Sequence, residues 1–211
     1  IHWEGKDNPL LINDERFAPA GVLAPKSKAD LAFTMHILSW LAVNGTAAIV
    51  EFPGVLYRGG AERKIRKYLV DNNYIDTVIQ LPPNLFFGTT IATCIIVLKK
   101  SKKDNSILFI DASDQFEHSG NKNKLNDENR QHILDWFTKR KDTDYRVKLV
   151  SSEQIGQNEY NIAVSSYVQQ KDTREKIDIH KLNQQIAGIV EREQQLRTQI
   201  DAIVADLEGK S

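Results

Sequence analysis

The residues best suited to chemistry lie in one stretch, LPPNLFFGTTIATCIIVLKK, residues 81–100. A loop punctuated by Pro82 and Pro83 carries the adjacent aromatics Phe86 and Phe87, then Gly88, Thr89 and Thr90. It runs into an apolar, β-branched segment that closes on Lys99 and Lys100. Two neighbouring rings offer a stacking wall to a planar ligand such as an extruded base, and Thr89 and Thr90 offer hydrogen bonds beside it. The competing reading puts one or both rings in the core under the loop, where aromatics more often serve. A second candidate is Tyr57-Arg58-Gly59-Gly60. Tyr57 and Arg58 are candidates to contact a base or its backbone, and a Gly-Gly pair opening a helix can leave N–H groups free for phosphate. A plain strand-to-helix turn explains the same glycines, because Gly-Gly alone is a weak signal.

Other polar groups carry less. Asp111, Asp114, Glu117 and His118 form an acidic cluster whose spacing matches no closed ligand set, so a solvated strand exit is favoured and no metal is expected. His36 falls within a helical pattern as a packing residue. His2, His132 and His180 have no nucleophile and carboxylate at telling positions. Cys94, inside the apolar run, reads as a small hydrophobe. No nucleophile–base pair can be assembled, so no catalytic residue is expected within these 211 residues.

The elements that must position these groups follow from periodicity. After an irregular, proline-broken stretch to residue 28, a helix begins near Ser27 or Ala29, with Leu31, Ala32, Met35 and Leu38 at three-to-four spacing. Asn44-Gly45 reads as its end. Residues 46–52 form a short strand without alternation, which implies burial on both faces. Residues 53–60 are loop, 61–72 helix, and 75–81, 91–98 and 106–110 strands. A strand–helix–strand crossover makes 46–52 and 75–81 parallel neighbours or near neighbours, and the helix-free link to 91–98 makes that strand antiparallel. The expectation is an α/β fold with a mostly parallel sheet and one reversed strand near its edge. Both candidate loops then leave the carboxyl ends of strands, where open α/β sheets bind ligands.

Beyond residue 110 the chain turns polar. Residues 121–124, NKNK, read as exposed loop, 127–139 as a helix with Ile133, Leu134 and Phe137 inward, and 147–150 as a strand before a serine-capped helix start. At the end, Ile179, Leu182, Ile186, Ile189, Leu196, Ile200, Ile203 and Leu207 alternate spacings of three and four, an a/d seam broken only by Glu193. Such a helix seeks a partner helix. Glu193 in the seam disfavours a symmetric homodimer and favours a foreign partner offering Lys or Arg.

Composition sets the limits. The 211 residues carry 28 basic and 28 acidic side chains and 41% hydrophobic residues, enough for a core and without electrostatic bias toward nucleic acid or membrane. One cysteine excludes an internal disulfide, and no apolar run approaches the roughly 20 residues of a bilayer span. A reducing cytoplasm is the expected compartment.

On the residues just described the chain resembles the methylation (M) subunit of type I restriction-modification systems, an N6-adenine DNA methyltransferase. The resemblance rests on Ala29-Asp30-Leu31-Ala32-Phe33, on residues 54–62 (GVLYRGGAE), on Ile65-Arg66-Lys67-Tyr68-Leu69, on Ile75-Asp76 and on 81–100, and extends into the heptad helix. It implies the C-terminal half of a Rossmann-like methyltransferase sheet over 1–110, a polar extension over 111–172 and an assembly helix over 173–211. In that family the S-adenosylmethionine loop and an Asn/Asp-Pro-Pro-Tyr/Phe catalytic motif precede a segment like His2-Trp3-Glu4-Gly5. Neither occurs here, since Asn8-Pro9 is followed by Leu10. The chain is therefore expected to be a fragment starting just after the catalytic motif, inactive alone and binding no cofactor unaided, with its 46–52 strand edge exposed. The resemblance implies transfer of methyl from S-adenosylmethionine to a flipped adenine by the intact subunit. The implied partners are DNA, a DNA-specificity subunit docked on the C-terminal helix, a second methylation subunit and the restriction subunit. The alternative is a non-enzymatic assembly module acting through that helix alone.

Overall fold

The computed structural model describes residues 3–170 and 178–209; His2 and the expected boundary at 172/173 lie outside them. The chain divides into two compact units, 1–171 and 172–211.

The first unit opens with three short 3₁₀ turns, where prolines and Gly21 deny the chain longer helices. The Trp3 indole N–H donates to Ala24 O at 3.1 Å and pins this segment down. Helix α1, Asp30–Trp40, buries Leu31, Ala32, Thr34, Met35 and Leu38. It stops before Asn44-Gly45, because Leu41 is already extended. Strand β1 (Thr46–Glu51) leads through a 3₁₀ turn, Pro53–Leu56, to helix α2 (Ala61–Asp71). Strands β2 (Ile75–Gln80), β3 (Cys94–Lys99) and β4 (Ser106–Asp111) follow. A small hairpin, β5 (Glu117–Ser119) and β6 (Lys122–Lys124), precedes helix α3 (Asp127–Lys139), β7 (Val147–Ser151) and α4 (Ser152–Gln157). The Ser151 hydroxyl caps α4 by accepting from Gln154 N, as the serines there predict.

The main sheet has the order β1-β3-β2-β4-β7. Only β2 and β4 pair in parallel; β1/β3, β3/β2 and β4/β7 are antiparallel. The expectation of a mostly parallel sheet is thus corrected. β1 and β2 do run the same way, as the α2 crossover demands, but they are not adjacent. With no helix to carry it across, β3 folds back from β2 and fills the slot between them. β7 is a second reversed strand, and β4 and β7 carry the sheet across the expected boundary at 110/111.

β1 stands at the sheet edge, and its burial alternates. Thr46, Ala48 and Val50 are exposed, while Ala47 and Ile49 are half-buried and Glu51 is buried. The expected burial on both faces fails because α1 packs against one face only. The two sheet faces build two cores. Cys94, Ile96, Leu98 and Phe109 join α1, α2 and the 162–168 segment, while Ile79, Leu108, Ile110 and Val147 meet α3 through Ile133, Trp136 and Phe137. Leu134, expected inward, is exposed; Trp136 takes its place.

Arg66 of α2 is the largest fully buried side chain. Its guanidinium donates to Val55 O at 3.0 Å and to Tyr160 O at 2.8 Å, and burial lowers its pKa to about 10. It ties the turn after β1 to the segment that closes the core. In the second unit helix α5 (Ile179–Glu208) is capped by Asp178, whose carboxylate accepts from His180 N and Lys181 N. All eight apolar seam residues are exposed along it. No helix among the described residues is long and apolar enough to cross a membrane.

Replacing Arg66 with Ala strips two buried carbonyls of their donor and leaves a cavity. The unfolding free energy is expected to fall by about 2–4 kcal/mol, read as a lower urea midpoint.

Candidate functional site

The site follows from one register. Cys94, first residue of β3, pairs with Glu51 at the end of β1 and with Gln80 at the end of β2. Residues 81–93 therefore form a loop standing on the carboxyl end of the sheet. Its base is closed by Leu81 N donating to Thr93 O at 2.9 Å and by the Gln80 amide donating to the same carbonyl at 3.1 Å. Leu85 is the loop's anchor, half-buried against the second core. This leaves Phe86 at 40% and Phe87 at 100% exposure, so neither ring fills the core and that reading is overturned.

The β5–β6 hairpin braces the loop from outside. The Lys122 ammonium donates to Phe86 O at 3.0 Å and to Thr89 O at 3.3 Å. The Asn123 amide donates to Pro83 O at 2.8 Å, and Asn123 N donates to Asn84 O at 3.0 Å. Residues 121–124 are thus not the exposed loop their polarity implies: Lys122–Lys124 is a strand, with Asn123 buried in it. The segment is ordered because its polar groups satisfy the loop's carbonyls, a pairing that hydrophobic periodicity does not register.

Between the loop and the end of β1 lies a cleft of about 360 Å³. Phe52, Phe86, Phe87 and Thr89 supply one part of its lining, and Asp30, Val50, Glu51 and Thr93 the rest. Phe86, Phe87 and Thr89 are hence brought together as expected. Thr90 is not part of the lining; its carbonyl accepts from Asn84 N. Tyr57 also stands outside the cleft, and is exposed. Arg58 donates to the Glu62 carboxylate at 2.7 and 2.8 Å and to Asp30 at 3.3 Å. The Glu62 hydrogen bonds raise its pKa further, and it acts on the cleft through its contact with Asp30 and through its charge on Glu51. Gly54 permits this arrangement, since a Cβ there would collide with the Arg58 guanidinium. Gly60 precedes α2 at φ 66°, a conformation that favours glycine. The first turn of α2 already holds the carboxylate Glu62. The turn reading of Gly59-Gly60 accounts for this geometry, and phosphate capture has nothing beside it.

Two buried polar groups in the cleft carry no mark in the sequence analysis. Glu51, 7% exposed, ends an otherwise apolar strand. Burial, and next the Asp30 charge, push its pKa up to about 7, against the lowering hydrogen bond of Thr34, whose hydroxyl lies 3.2 Å from Oε1. The Thr93 hydroxyl is buried without a hydrogen-bond partner. A carboxylate in the run TAAIVEF was the available signal for the first; nothing in the sequence marked the second. Cys94 donates its thiol to Glu51 O at 3.4 Å, and burial raises its pKa to about 12, which fits the inert hydrophobe expected. In the acidic cluster, Asp114 is paired with Arg146 and Asp111 accepts from Ser113 N. No group able to hold a metal occurs among the described residues.

Comparison with known proteins gives these features a context. A family model described as N-6 DNA Methylase matches residues 1–176. The chain is 47% identical over 208 residues to the type I restriction enzyme MpnII methylase subunit of Mycoplasma pneumoniae, covering 98% of this chain and 38% of that protein. It is 32% identical over 210 residues to the MjaVII methylase subunit of Methanocaldococcus jannaschii, covering 97% and 36%. Among solved structures, the type I restriction-modification methyltransferase subunit from Streptococcus thermophilus superimposes with a TM-score of 0.75 at 44% identity, over 76% of this chain and 35% of that one. The chain thus spans under two-fifths of the length of these relatives.

The Glu51 pKa sets a pH signature. Its folded value of about 7 exceeds the ordinary 4.5, so folding takes up a proton between the two. Stability contributed by the neutral acid is fully present below the unfolded value and is lost as pH rises through the folded one. Glu51→Gln is therefore expected to match wild type near pH 4 and exceed it by up to about 3 kcal/mol above pH 7, measured by denaturant unfolding across pH.

Proposed function

We propose, on the premise that this chain belongs to the N-6 DNA methylase family, that it supplies the target-base side of a type I DNA adenine-N6 methyltransferase subunit. The observation that carries this reading is the cleft at the carboxyl end of the sheet, where Phe52, Phe86 and Phe87 border buried polar groups. An extruded base needs such a combination. Rings replace the stacking lost when it leaves the duplex, and a few polar atoms fix its edge. Phe87 is fully exposed, a state that makes sense for a ring that acquires its neighbour on binding. The lining is held in place from behind by Leu85 and the β5–β6 hairpin, so it is preorganised.

The residues present do not build a cradle for S-adenosylmethionine. The Gly59-Gly60 turn opens onto Glu62 locked by Arg58, and no second glycine-rich strand-to-helix turn occurs among the described residues. In this reading the methyl donor and the Asn/Asp-Pro-Pro-Tyr/Phe motif belong to the segment that precedes this one in the longer relatives. The strands described here form the second half of that Rossmann-like domain, and this chain alone is inactive and binds no cofactor. In this reading residues 1–110 supply the second half of the catalytic domain, 111–172 an extension that adds β7 to the sheet and braces the aromatic loop through Lys122 and Asn123, and 173–211 the assembly helix. Helix α5 docks on helices of the DNA-specificity subunit in a complex with DNA, a second methylation subunit and the restriction subunit, in the cytoplasm.

A second reading has its own observation. The exposed seam of α5, from Ile179 to Leu207, alone suits a module whose work is assembly. The two readings separate experimentally. In the assembled complex, with this chain joined to its preceding segment, Phe87→Ala is expected to lower the rate of adenine methylation by roughly 5- to 100-fold while the complex still copurifies. Deleting residues 178–209 is expected to abolish copurification with the specificity subunit. An unchanged methylation rate in Phe86→Ala and Phe87→Ala alike leaves only the assembly reading.

A further inference from the structure

The cleft contains two buried polar side chains whose chemistry is not used up by the fold. The Glu51 carboxyl engages Thr34 through Oε1, and its Oε2 makes no hydrogen bond among the described residues. The Thr93 hydroxyl, 4% exposed, has no partner. An unpaired buried hydroxyl is costly, as is a buried carboxyl without a cation directly on it, and such groups persist where a ligand completes them. The arginine nearest in sequence and space, Arg58, spends its guanidinium on Glu62 and Asp30 instead.

We propose that Glu51 is a specificity-determining residue that reads the edge of the base as a neutral carboxylic acid, with Thr93 contributing a further hydrogen bond. This rests on the target-base reading of the cleft. A neutral carboxyl presents one O–H donor beside one C=O acceptor. Adenine presents the complement: a ring nitrogen that accepts beside an exocyclic N–H that donates, on its N1/N6 edge and again on its N7/N6 edge. Glu51 donates its O–H to the ring nitrogen, and its carbonyl oxygen accepts from the amino group while continuing to accept from Thr34. An ionised carboxylate offers only acceptors, which suit the paired N–H donors of guanine and repel the adenine ring nitrogen. The protonation state therefore decides which purine the cleft takes.

The surroundings of Glu51 favour the neutral form. Burial does most of this and the Asp30 charge, from α1, adds to it; the Thr34 hydroxyl on the same helix and the Arg58 charge, from the turn after β1, oppose it and are outweighed. From β3, Cys94 stays a neutral thiol. The aromatic loop brings Phe86, Phe87, Thr89 and Thr93 to the cleft, none of them charged. The folded pKa of about 7 is consistent with an acid that holds its proton when the cleft is closed over a base.

The test uses the assembled methyltransferase complex containing this chain with its preceding segment, and measures KM for DNA and kcat from about pH 6 to about pH 8.5. Wild type is expected to show KM rising above about pH 7 as Glu51 ionises. Glu51→Gln, whose amide keeps a donor beside an acceptor and cannot ionise, is expected to lose that rise. Glu51→Ala and Thr93→Val are expected to raise KM by about tenfold or more at every pH. Circular dichroism of each variant separates misfolding from lost contact, and the Gln variant keeps the test open if the Ala variant does not fold. The proposal is overturned if Glu51→Gln keeps the wild-type pH profile, or if Gln and Ala variants behave alike. If the wild-type complex methylates no adenine, the target-base reading itself fails and this inference falls with it. If adenine is methylated while Glu51 is indifferent, only the inference falls.

Discussion

The placement of β3 is the constraint on which the rest of this structure depends. A strand that reverses out of β2 and inserts beside β1 must begin where both of those strands end, and Cys94 meets Glu51 on one side and Gln80 on the other. The connection between β2 and β3 then has no route except over the carboxyl end of the sheet. Antiparallel register does the positioning. Thr93 is placed at the mouth because it precedes the first paired residue, and Phe86 and Phe87 stand above because Leu85 turns inward. Had β3 paired beyond β2, the aromatic loop would have stood away from β1, and Glu51 would have ended a strand with no cleft.

Buried polar groups divide by whether the fold completes them. At the end of the sheet away from the cleft, Asp76 receives Arg140 at 3.0 Å, Lys99 at 3.4 Å and the Thr77 hydroxyl at 2.8 Å. Lys102 nearby donates to Ile75 O and Ser106 O, with burial lowering its pKa to about 8. Arg66 is satisfied by two carbonyls in the same way. These groups knit segments distant in sequence, each meeting at least two partners. Glu51 and Thr93 differ: the Thr93 hydroxyl is buried with no partner, and the Glu51 carboxyl is engaged through Oε1 alone, by Thr34. Since a domain is stable by only about 5–15 kcal/mol, incomplete groups of this kind are a real fraction of the total and invite a reason.

Much of this was legible in the sequence, and the failures have physical causes. Strand and helix positions followed from apolar periodicity, as did the antiparallel turn of β3, because a short helix-free link leaves few alternatives. The placement of β3 between β1 and β2 did not follow, because local pattern does not encode which slot a returning strand fills. That one ambiguity made the sheet seem mostly parallel. Phe86, Phe87 and Thr89 were identifiable as a group since they are adjacent in the chain. Glu51, Asp30 and Thr93 come from three separate elements and meet only through register. Arg58 illustrates the converse. Its position beside Tyr57 marked it as a ligand contact, yet the i,i+4 carboxylate of Glu62 already claims it. Residues 121–124 read as loop in the sequence because β6 is held by backbone carbonyls of another loop rather than by apolar burial.

The heptad helix follows a different logic. Its 30 residues expose Ile179, Leu182, Ile186, Ile189, Leu196, Ile200, Ile203 and Leu207 along a stripe. Intrinsic propensity and the Asp178 cap suffice to start such a helix, but most helical stability comes from burying an amphipathic face. Covering a leucine or isoleucine is worth roughly 1.5–3 kcal/mol each when complete, so eight uncovered positions represent a large unrealised stabilisation. Glu193 interrupts the stripe where a self-paired seam would bring two carboxylates together. A partner helix that meets it with a cation turns the interruption into a register mark, since only one alignment pairs the charges. In such a pairing shape complementarity along the stripe would supply affinity, while the single charged position would decide which partner is accepted and in which register.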